Sequence, residues 1–221
     1  MIIIYIIYSY FNKKNEENDD VDIMDDSVRN HLYPSPDLAD KISEIKTKDP
    51  NFNENNLLDK ISTLFMKIQD ARSKRDIKLM RAYVSEELYK RFDMQLGEME
   101  KNKRYNKIEG LSIDNTRILN ISIDENYDRI KVLILASWKD IIIDDAWKIL
   151  EWENNTISWK EIWEFIRSAN VKTDVNKSVF NDKCPNCWAP LDINNVWECN
   201  YCHSSIIKWE FDWVLSRIEQ V

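Results

Sequence analysis

Glycine and histidine are both scarce in this chain. Its 221 residues include 2 glycines and 2 histidines. A phosphate-binding loop needs several closely spaced glycines, and neither Gly97 nor Gly110 stands in such a run. His31 lies in a charged stretch and His203 lies next to a cysteine. The sequence therefore predicts no nucleotide-binding loop, and it places no histidine as a general base in a folded domain.

Clusters of positive charge are also lacking. The formal net charge is -8 and the sequence pI is near 5.0. Proteins that bind nucleic acids use clustered Lys and Arg side chains against the phosphates. Residues 180–221 carry three positive and six negative side chains, so this region is expected to repel DNA. We expect no nucleic-acid partner.

The apolar segment at residues 1–11 is too short to span a bilayer, because a membrane helix needs roughly 17 to 25 apolar residues. It also lacks the basic start and the cleavage site of a secretory signal. Three interpretations remain open: the end of a membrane helix whose upstream part is missing, a membrane-surface anchor, and an edge strand. With a membrane helix, Lys13 and Lys14 would favour a cytoplasmic location for the rest of the chain.

Residues 12–48 are predicted to be an acidic linker. From Asn12 to Asp40, nine acidic residues stand against three basic ones. Such a segment offers too little apolar surface to offset the entropy that is lost on ordering. Folded structure is therefore expected to begin near Asp49.

Helical periodicity follows the linker. Apolar residues recur at steps of three and four over 57–71, which indicates an amphipathic helix starting near the cap candidate Asn53. A second helical stretch is indicated over 77–92. Both apolar stripes are expected to face a core.

After Gly110 the apolar period changes from helical to alternating. The pattern over 119–136 indicates two antiparallel strands joined by a short turn at Asn126 and Asp128. A third strand is predicted over 156–167. Helices followed by a run of strands indicate an α+β domain, with the helices packed on one face of an antiparallel sheet.

The strongest motif is the cysteine pattern Cys-x2-Cys-x11-Cys-x2-Cys, formed by Cys184, Cys187, Cys199 and Cys202. These are all the cysteines of the chain, so none is left for a disulfide framework elsewhere, and the pattern indicates metal binding in a reducing compartment. Two Cys-x-x-Cys turns brought together by a hairpin can surround zinc tetrahedrally.

Four thiolates leave no ligand position for water, so the predicted zinc ion is structural and not catalytic. For a small module at residues 180–221, the metal would take the place of a hydrophobic core. The alternatives are two redox Cys-x-x-Cys pairs, or His203 as a competing ligand.

Acidic residues are the remaining candidates for chemistry. Glu161 and Arg167 share one face of the third predicted strand, and Asp140 is expected nearby. They form either a buried acid with its partner or a surface ion pair, and the surface pair is the expectation. No catalytic residue is predicted.

Several short segments, taken in order, resemble bacterial relatives of the tether of the mitochondrial inner-membrane import motor, the Tim44-like family. They are Asp49-Pro50-Asn51-Phe52, Ile68-Gln69-Asp70-Ala71, Leu79-Met80-Arg81, Val84-Ser85-Glu86-Glu87-Leu88-Tyr89, Glu161-Ile162-Trp163-Glu164-Phe165-Ile166-Arg167, Cys184-Pro185-Asn186-Cys187 and the stretch from Phe211 to Leu215. The resemblance covers about residues 49–221.

This resemblance implies a cone-shaped α+β domain like that of nuclear transport factor two at residues 49–175, with an apolar pocket, followed by a zinc ribbon at residues 180–221. It also implies membrane association. We therefore expect a membrane-associated scaffold or adaptor that binds a peptide, lipid or protein partner, with its soluble part facing the cytoplasm. The alternative is an enzyme that uses a buried carboxylate, Asp140 or Glu161, in the pocket; fold alone is a poor guide to function.

Glycine is missing where the family usually has it. Tryptophan stands there instead, at Trp147, Trp152, Trp188, Trp197 and Trp209. The chain has 2 Gly and 9 Trp, whereas average usage gives roughly 15 Gly. A bulky residue at positive φ is strained. We infer that the source organism reads the UGA codon as glycine. His203 also stands at a usual glycine, and histidine tolerates that conformation better than most residues.

We expect UGA codons at these five tryptophans. Trp163 and Trp213 match family tryptophans, so their codons are expected to be UGG. Sequencing the genomic DNA upstream of Met1 and through the gene that follows it identifies these codons. The same sequence shows what precedes the apolar segment. UGG at the five positions would contradict the inference.

Overall fold

The structure is a computed structural model that describes residues 32–152, 155–174, 187, 189–190, 199–203 and 213–221. The apolar segment 1–11 and residues 12–31 of the predicted linker lie outside this part of the chain. Among the described residues, no helix is both long enough and apolar enough to cross a membrane.

The described chain forms helices first and strands afterwards. The elements are α1 (Leu38–Lys48), α2 (Glu54–Ser73), a 3₁₀ helix (Ile77–Ala82), α3 (Glu86–Asn102), β1 (Tyr105–Ile123), β2 (Tyr127–Ile143), β3 (Ile149–Trp152), β4 (Ile157–Ser168) and β5 (Val214–Gln220).

Helix α2 matches the prediction made from its apolar stripe. The Asn53 side chain accepts a hydrogen bond from the backbone N–H of Asn56 at 3.0 Å, so it caps the helix start. The stripe is buried, with Phe65 and Ile68 each 1% exposed. The second predicted helical stretch is divided into the 3₁₀ helix and α3, and Ser85 caps α3 through the N–H of Leu88.

Helix α1 corrects the predicted linker at its C-terminal end. Leu38, Ile42 and Ile45 follow helical spacing and pack against the core, and Ile45 is fully buried. The acidic composition of the region concealed this short stripe. The folded domain therefore begins earlier than residue 49.

The five strands form one antiparallel sheet in the order β1-β2-β4-β5, with β3 paired to the C-terminal end of β2. The alternation predicted in β2 is confirmed, since Ile130, Val132, Ile134 and Ala136 are all buried in the main core. Helices packed on an antiparallel sheet give the α+β architecture that the sequence predicts.

The pairing of strand β1 with β2 shifts register at three places, as it does at β-bulges. The first lies between Glu109 and Ser112 and contains Gly110, whose φ is 66°. Bulges increase strand twist and curvature. Ile118 and Ile121 of β1 share the main core with the buried residues of α2.

Aromatic side chains fill the core between helix α2 and the sheet. Trp138 and Trp159 stack with ring centroids 4.7 Å apart, and Phe65 lies 5.2 Å from Trp163. Two clefts among the described residues each have a cavity volume of about 20 Å³. The apolar pocket implied by the resemblance is therefore largely occupied by the protein's own rings.

Strand β5 corrects the predicted extent of the zinc ribbon. Its residues pair with β4 from Glu161 to Ile166. Leu215 is fully buried, donates its N–H to the carbonyl of Tyr83 at 3.0 Å and accepts from the N–H of Ser85 at 2.8 Å. The last strand therefore belongs to the main sheet, and the cysteines lie in an insert between β4 and β5.

Trp147 has a φ of 65° in the turn that joins β2 to β3. The turn is closed by a hydrogen bond from the N–H of Asp144 to the carbonyl of Lys148 at 2.9 Å. Glycine is favoured at this conformation. Trp152 lies instead in β3, paired with Ile141, so the expectation of turn strain is wrong there. The other three tryptophans lie outside the described residues.

Replacing Leu215 with Ala is expected to lower the free energy of unfolding by about 2–5 kcal/mol, because it leaves a cavity between the sheet and residues 83–85. Met94, which is 65% exposed on α3, provides the control, and Met94→Ala should change stability by less than about 0.5 kcal/mol. Urea denaturation measures both. A similarly small effect of Leu215→Ala would mean that the last strand is not part of this core.

Candidate functional site

Three of the four predicted metal ligands lie together. The sulfur atoms of Cys187, Cys199 and Cys202 are all within 4.8 Å of one another, and those of Cys187 and Cys199 are 3.6 Å apart. None of the three is in a disulfide. Cys184 lies outside the described residues, so its place in the cluster stays a prediction.

The backbone around Cys199 holds this cluster in shape. Cys199 is fully buried, and its sulfur accepts a hydrogen bond from the N–H of Tyr201 at 3.4 Å. The chain then turns, and the N–H of His203 bonds to the carbonyl of Cys199 at 2.8 Å. His203 has a φ of 56°, the conformation predicted from its position at a usual glycine. The group of possible ligands among the described residues does not include its ring.

The separation of the Cys187 and Cys199 sulfurs fits a shared metal ion. Zinc bonds thiolate sulfur at about 2.3 Å, so two sulfurs of a tetrahedral site lie about 3.8 Å apart. The 3.6 Å distance between Cys187 and Cys199 agrees with this value. A thiolate set of this kind suits zinc and other metals that prefer sulfur. The three cysteines are thus close enough to bind a metal ion, with Cys184 as the predicted fourth ligand.

A second charged site, absent from the sequence-based prediction, surrounds Arg167. This side chain is 1% exposed and bonds to two buried carboxylates. Its Nη1 donates to Asp49 at 2.7 Å, and its Nη2 donates to Asp128 at 3.2 Å. The predicted surface ion pair is therefore wrong for Arg167, whose partners come from the C-terminal end of α1 and from strand β2.

Further contacts extend the Arg167 network. Thr173 donates to Asp49 through its N–H at 2.9 Å and its hydroxyl at 2.7 Å. Lys48 donates to Asp128 at 2.8 Å. The indole ring of Trp213 lies 4.4 Å from the guanidinium carbon of Arg167, close enough for a cation–π interaction. We call these residues, with the two carboxylates, the Arg167 latch.

The Asp49 carboxyl is held in its charged form. Burial opposes ionisation, but hydrogen bonds from Thr173 and Arg167 outweigh it and lower the pKa of Asp49 below its ordinary value. Its Oδ1 atom and the Nε of Arg167 are buried and have no hydrogen-bond partner among the described residues.

Asp128 also corrects the predicted turn. It lies in strand β2, directly opposite Arg167 in the pairing with β4, and is fully buried. The turn between β1 and β2 is capped instead by Asp124, which accepts from the N–H groups of Asn126 and Tyr127 and from Arg129. The hydrogen bond from Arg129 is the largest of the effects that lower the pKa of Asp124 to about 2.

Glu161 and Asp140, the other candidate acids, have separate partners. Glu161 accepts a hydrogen bond from the indole N–H of Trp163 at 2.7 Å. Burial raises the pKa of Glu161, while Trp163 and Arg72 act in the opposite direction. Asp140 accepts two hydrogen bonds from the Asn106 amide, at 2.8 and 2.9 Å. Arg167 is bonded to neither acid.

Asp49→Asn is expected to destabilise the protein by about 3 kcal/mol at pH 7, since it removes one charge from a buried pair. Because the folded-state pKa of Asp49 is lowered, the contribution of Asp49 is complete above the unfolded value of about 3.9 and is lost as the pH falls below it. The difference in unfolding free energy between the two proteins should therefore shrink below about pH 4.

Urea denaturation from pH 3 to 7 measures this difference. Asp70→Asn is the control, because Asp70 pairs with Lys74 on the surface of α2, and surface pairs contribute less than about 1 kcal/mol. A stability difference for Asp49→Asn that is equally large at pH 3 and pH 7 would contradict the assignment.

The comparisons with known proteins identify the family. A model of the Tim44-like domain matches residues 38–178, from the start of α1 to a point before the cysteines. The crystal structure of the intermembrane space region of chloroplast protein ARC6 is similar at 6% identity and a TM-score of 0.44, covering 78% of this chain and 98% of that one. No curated protein matches the chain. Since the family match spans well over half of the sequence, the chain belongs to the Tim44-like domain family.

Proposed function

We propose that this protein is a membrane-associated scaffold or adaptor. In this proposal the Tim44-like domain binds a membrane surface and a protein partner, and the cysteine insert is a module held by structural zinc. Tim44-like domains in general interact with membranes and proteins. The soluble part is proposed to face the cytoplasm, and the apolar residues 1–11 are proposed to contribute to membrane attachment.

The observation that carries the proposal is an apolar patch on the hairpin of β2 and β3. Nine large hydrophobic side chains stand exposed among the described residues, and four of them lie within six consecutive positions. These four are Trp147, Ile149, Leu150 and Trp152, which are 53%, 52%, 42% and 54% exposed. Exposed apolar side chains that are contiguous mark an interaction surface, and we propose that these four form one. We call it the hairpin patch.

Ion pairs hold the hairpin patch on the domain. Arg75 donates to the carbonyl of Asp144 at 2.7 Å, and its guanidinium carbon lies 3.5 Å from the centre of the Tyr105 ring. Lys103 pairs with Asp145 at 3.1 Å, and Arg104 pairs with Glu151. Two acidic groups of the hairpin, Asp145 and Glu151, are thus paired with cations, which reduces the repulsion between the hairpin and an anionic lipid surface.

The side chains of the patch suit the membrane interface. Tryptophan is enriched at the level of the lipid headgroups, where its ring is partly apolar and its N–H stays hydrated. Ile149 and Leu150 supply aliphatic surface that gains free energy on leaving water. Trp147 and Trp152 would be glycine if their UGA codons are read as glycine, whereas Ile149 and Leu150 are unaffected. The proposal therefore depends on Ile149 and Leu150.

An enzyme remains the alternative proposal. Glu161 supports it, since burial raises the pKa of its carboxyl, and an acid of this kind is a candidate for proton transfer. Against it, neither of the two small clefts among the described residues is lined by Glu161. The acid instead bonds to the adjacent Trp163. We therefore favour the adaptor.

Vesicle binding tests the membrane surface. In the full-length protein, Ile149→Asp combined with Leu150→Asp is expected to lower partitioning onto anionic phospholipid vesicles by at least about tenfold, because two aliphatic side chains no longer leave water. Co-sedimentation measures the bound fraction. Met94→Asp is the matched control, since Met94 is an exposed apolar residue on α3, 65% exposed, and it should leave binding unchanged.

Two results would contradict the proposal. If the unaltered protein does not bind vesicles of any headgroup composition, membrane association is wrong. If the double variant and the control bind equally well, the membrane contact lies elsewhere, and the hairpin patch is not the binding surface.

A further inference from the structure

The two ends of the cysteine insert meet at one buried side chain. Thr173 lies at the start of the insert, and its hydroxyl is 3.4 Å from Nη1 of Arg167. Trp213 lies at the end, with its ring 4.4 Å from the guanidinium carbon of Arg167. The segment between them carries all four cysteines. The Arg167 latch therefore closes a long loop.

Strand β5 follows directly after Trp213, so the contact of Trp213 with Arg167 fixes where the strand begins. It is an end strand of the sheet, hydrogen-bonded to β4 on one side. On its other side, Leu215 makes a single parallel bridge to Val84. Elements with few ladder partners open at lower free energy than central strands. Strand β5 is thus the part of the sheet most sensitive to how the insert ends.

A metal ion in the insert would shorten the loop that the latch must close. One ion bonded to Cys187, Cys199 and Cys202 joins positions that are apart in the segment. The remaining loop is then shorter, so less conformational entropy is lost when its two ends are brought together. A ligand that binds one state better than the other shifts the equilibrium between them. The metal-bound insert should therefore hold its two ends at Arg167 more firmly than the metal-free insert.

We propose that metal binding at the thiol cluster is coupled through the Arg167 latch to the docking of strand β5. Loss of the metal loosens the insert, weakens the contact of Trp213 with Arg167 and releases β5 toward solvent. Metal binding at the thiol cluster thereby controls how firmly the end strand β5 is docked on the Tim44-like sheet. This inference depends on the metal site of the proposed function, but not on membrane binding.

Hydrogen–deuterium exchange with zinc as the probe tests the coupling. The full-length protein is prepared with one equivalent of zinc, or with zinc removed by a chelator under reducing conditions, and metal content is measured in each sample. Zinc removal is expected to speed exchange over β5, residues 214–220, by about twofold, because the zinc-bonded cysteines shorten the closed loop by roughly a third and an edge strand opens by local unfolding. Exchange in the centre of β2, residues 130–136, should change little.

Two matched variants locate the coupling in the latch. Thr173→Val removes the hydroxyl that bonds to Asp49 at 2.7 Å, and it is expected to reduce the effect of zinc on β5. Thr63→Val makes the same change on exposed α2, where the Thr63 hydroxyl bonds within the helix to the carbonyl of Asp59. It should leave the effect of zinc as in the unaltered protein.

The outcomes separate this inference from the proposed function. Stoichiometric zinc with identical exchange of β5 in both samples would overturn the coupling and leave the structural zinc intact. Equal responses of the two threonine variants would overturn the role of the latch. A protein that binds no zinc would overturn both the coupling and the zinc module, while membrane association would still rest on the vesicle result.

Discussion

Arg167 places the strictest physical constraint on this fold, because a guanidinium stays charged and cannot be buried without partners. Its two carboxylates come from residues 49 and 128, which are far apart in the chain. The network therefore ties the end of α1, the start of β2 and the end of β4 together at one point. A buried charged network adds little net free energy compared with apolar packing. Its clearest consequence here is geometric, since it defines where the insert leaves and rejoins the domain.

The parts of the fold that sequence predicted are those governed by local periodicity. Helix α2 has a stripe of spacing three and four with a capping Asn53, and burial alternates along most of β2 and β4. Helix α1 was missed because charged residues surround its short stripe. Strand β5 was missed because its partner, β4, lies beyond the cysteine insert, and no local pattern reveals pairing across such a distance.

The candidate sites differ in the same way. The cysteine spacing is a local signal, and three of its sulfurs do meet. The Arg167 latch is nonlocal, so alternation alone did not reveal it. A weaker signal was present: Asp128 and Arg167 each lie near one end of a strand, at a buried position in a strand whose other buried residues are apolar. Polar residues at such positions need partners, which was a reason to pair them with each other and not with Glu161.

Backbone conformation supplies the last constraint on this sequence. Five described residues have positive φ, and only Gly110 among them is glycine. At 103 and 203 the backbone uses Lys and His, while position 147 has the largest side chain. Its ring lies 4.5 Å from Arg75, which also stacks on Tyr105. A glycine at 147 would relieve the strain of the turn yet leave Arg75 with its other ring and its hydrogen bond to Asp144. The hairpin therefore tolerates glycine at position 147, where the side chain is exposed. The core would not tolerate glycine at position 163, where the Trp163 side chain is fully buried.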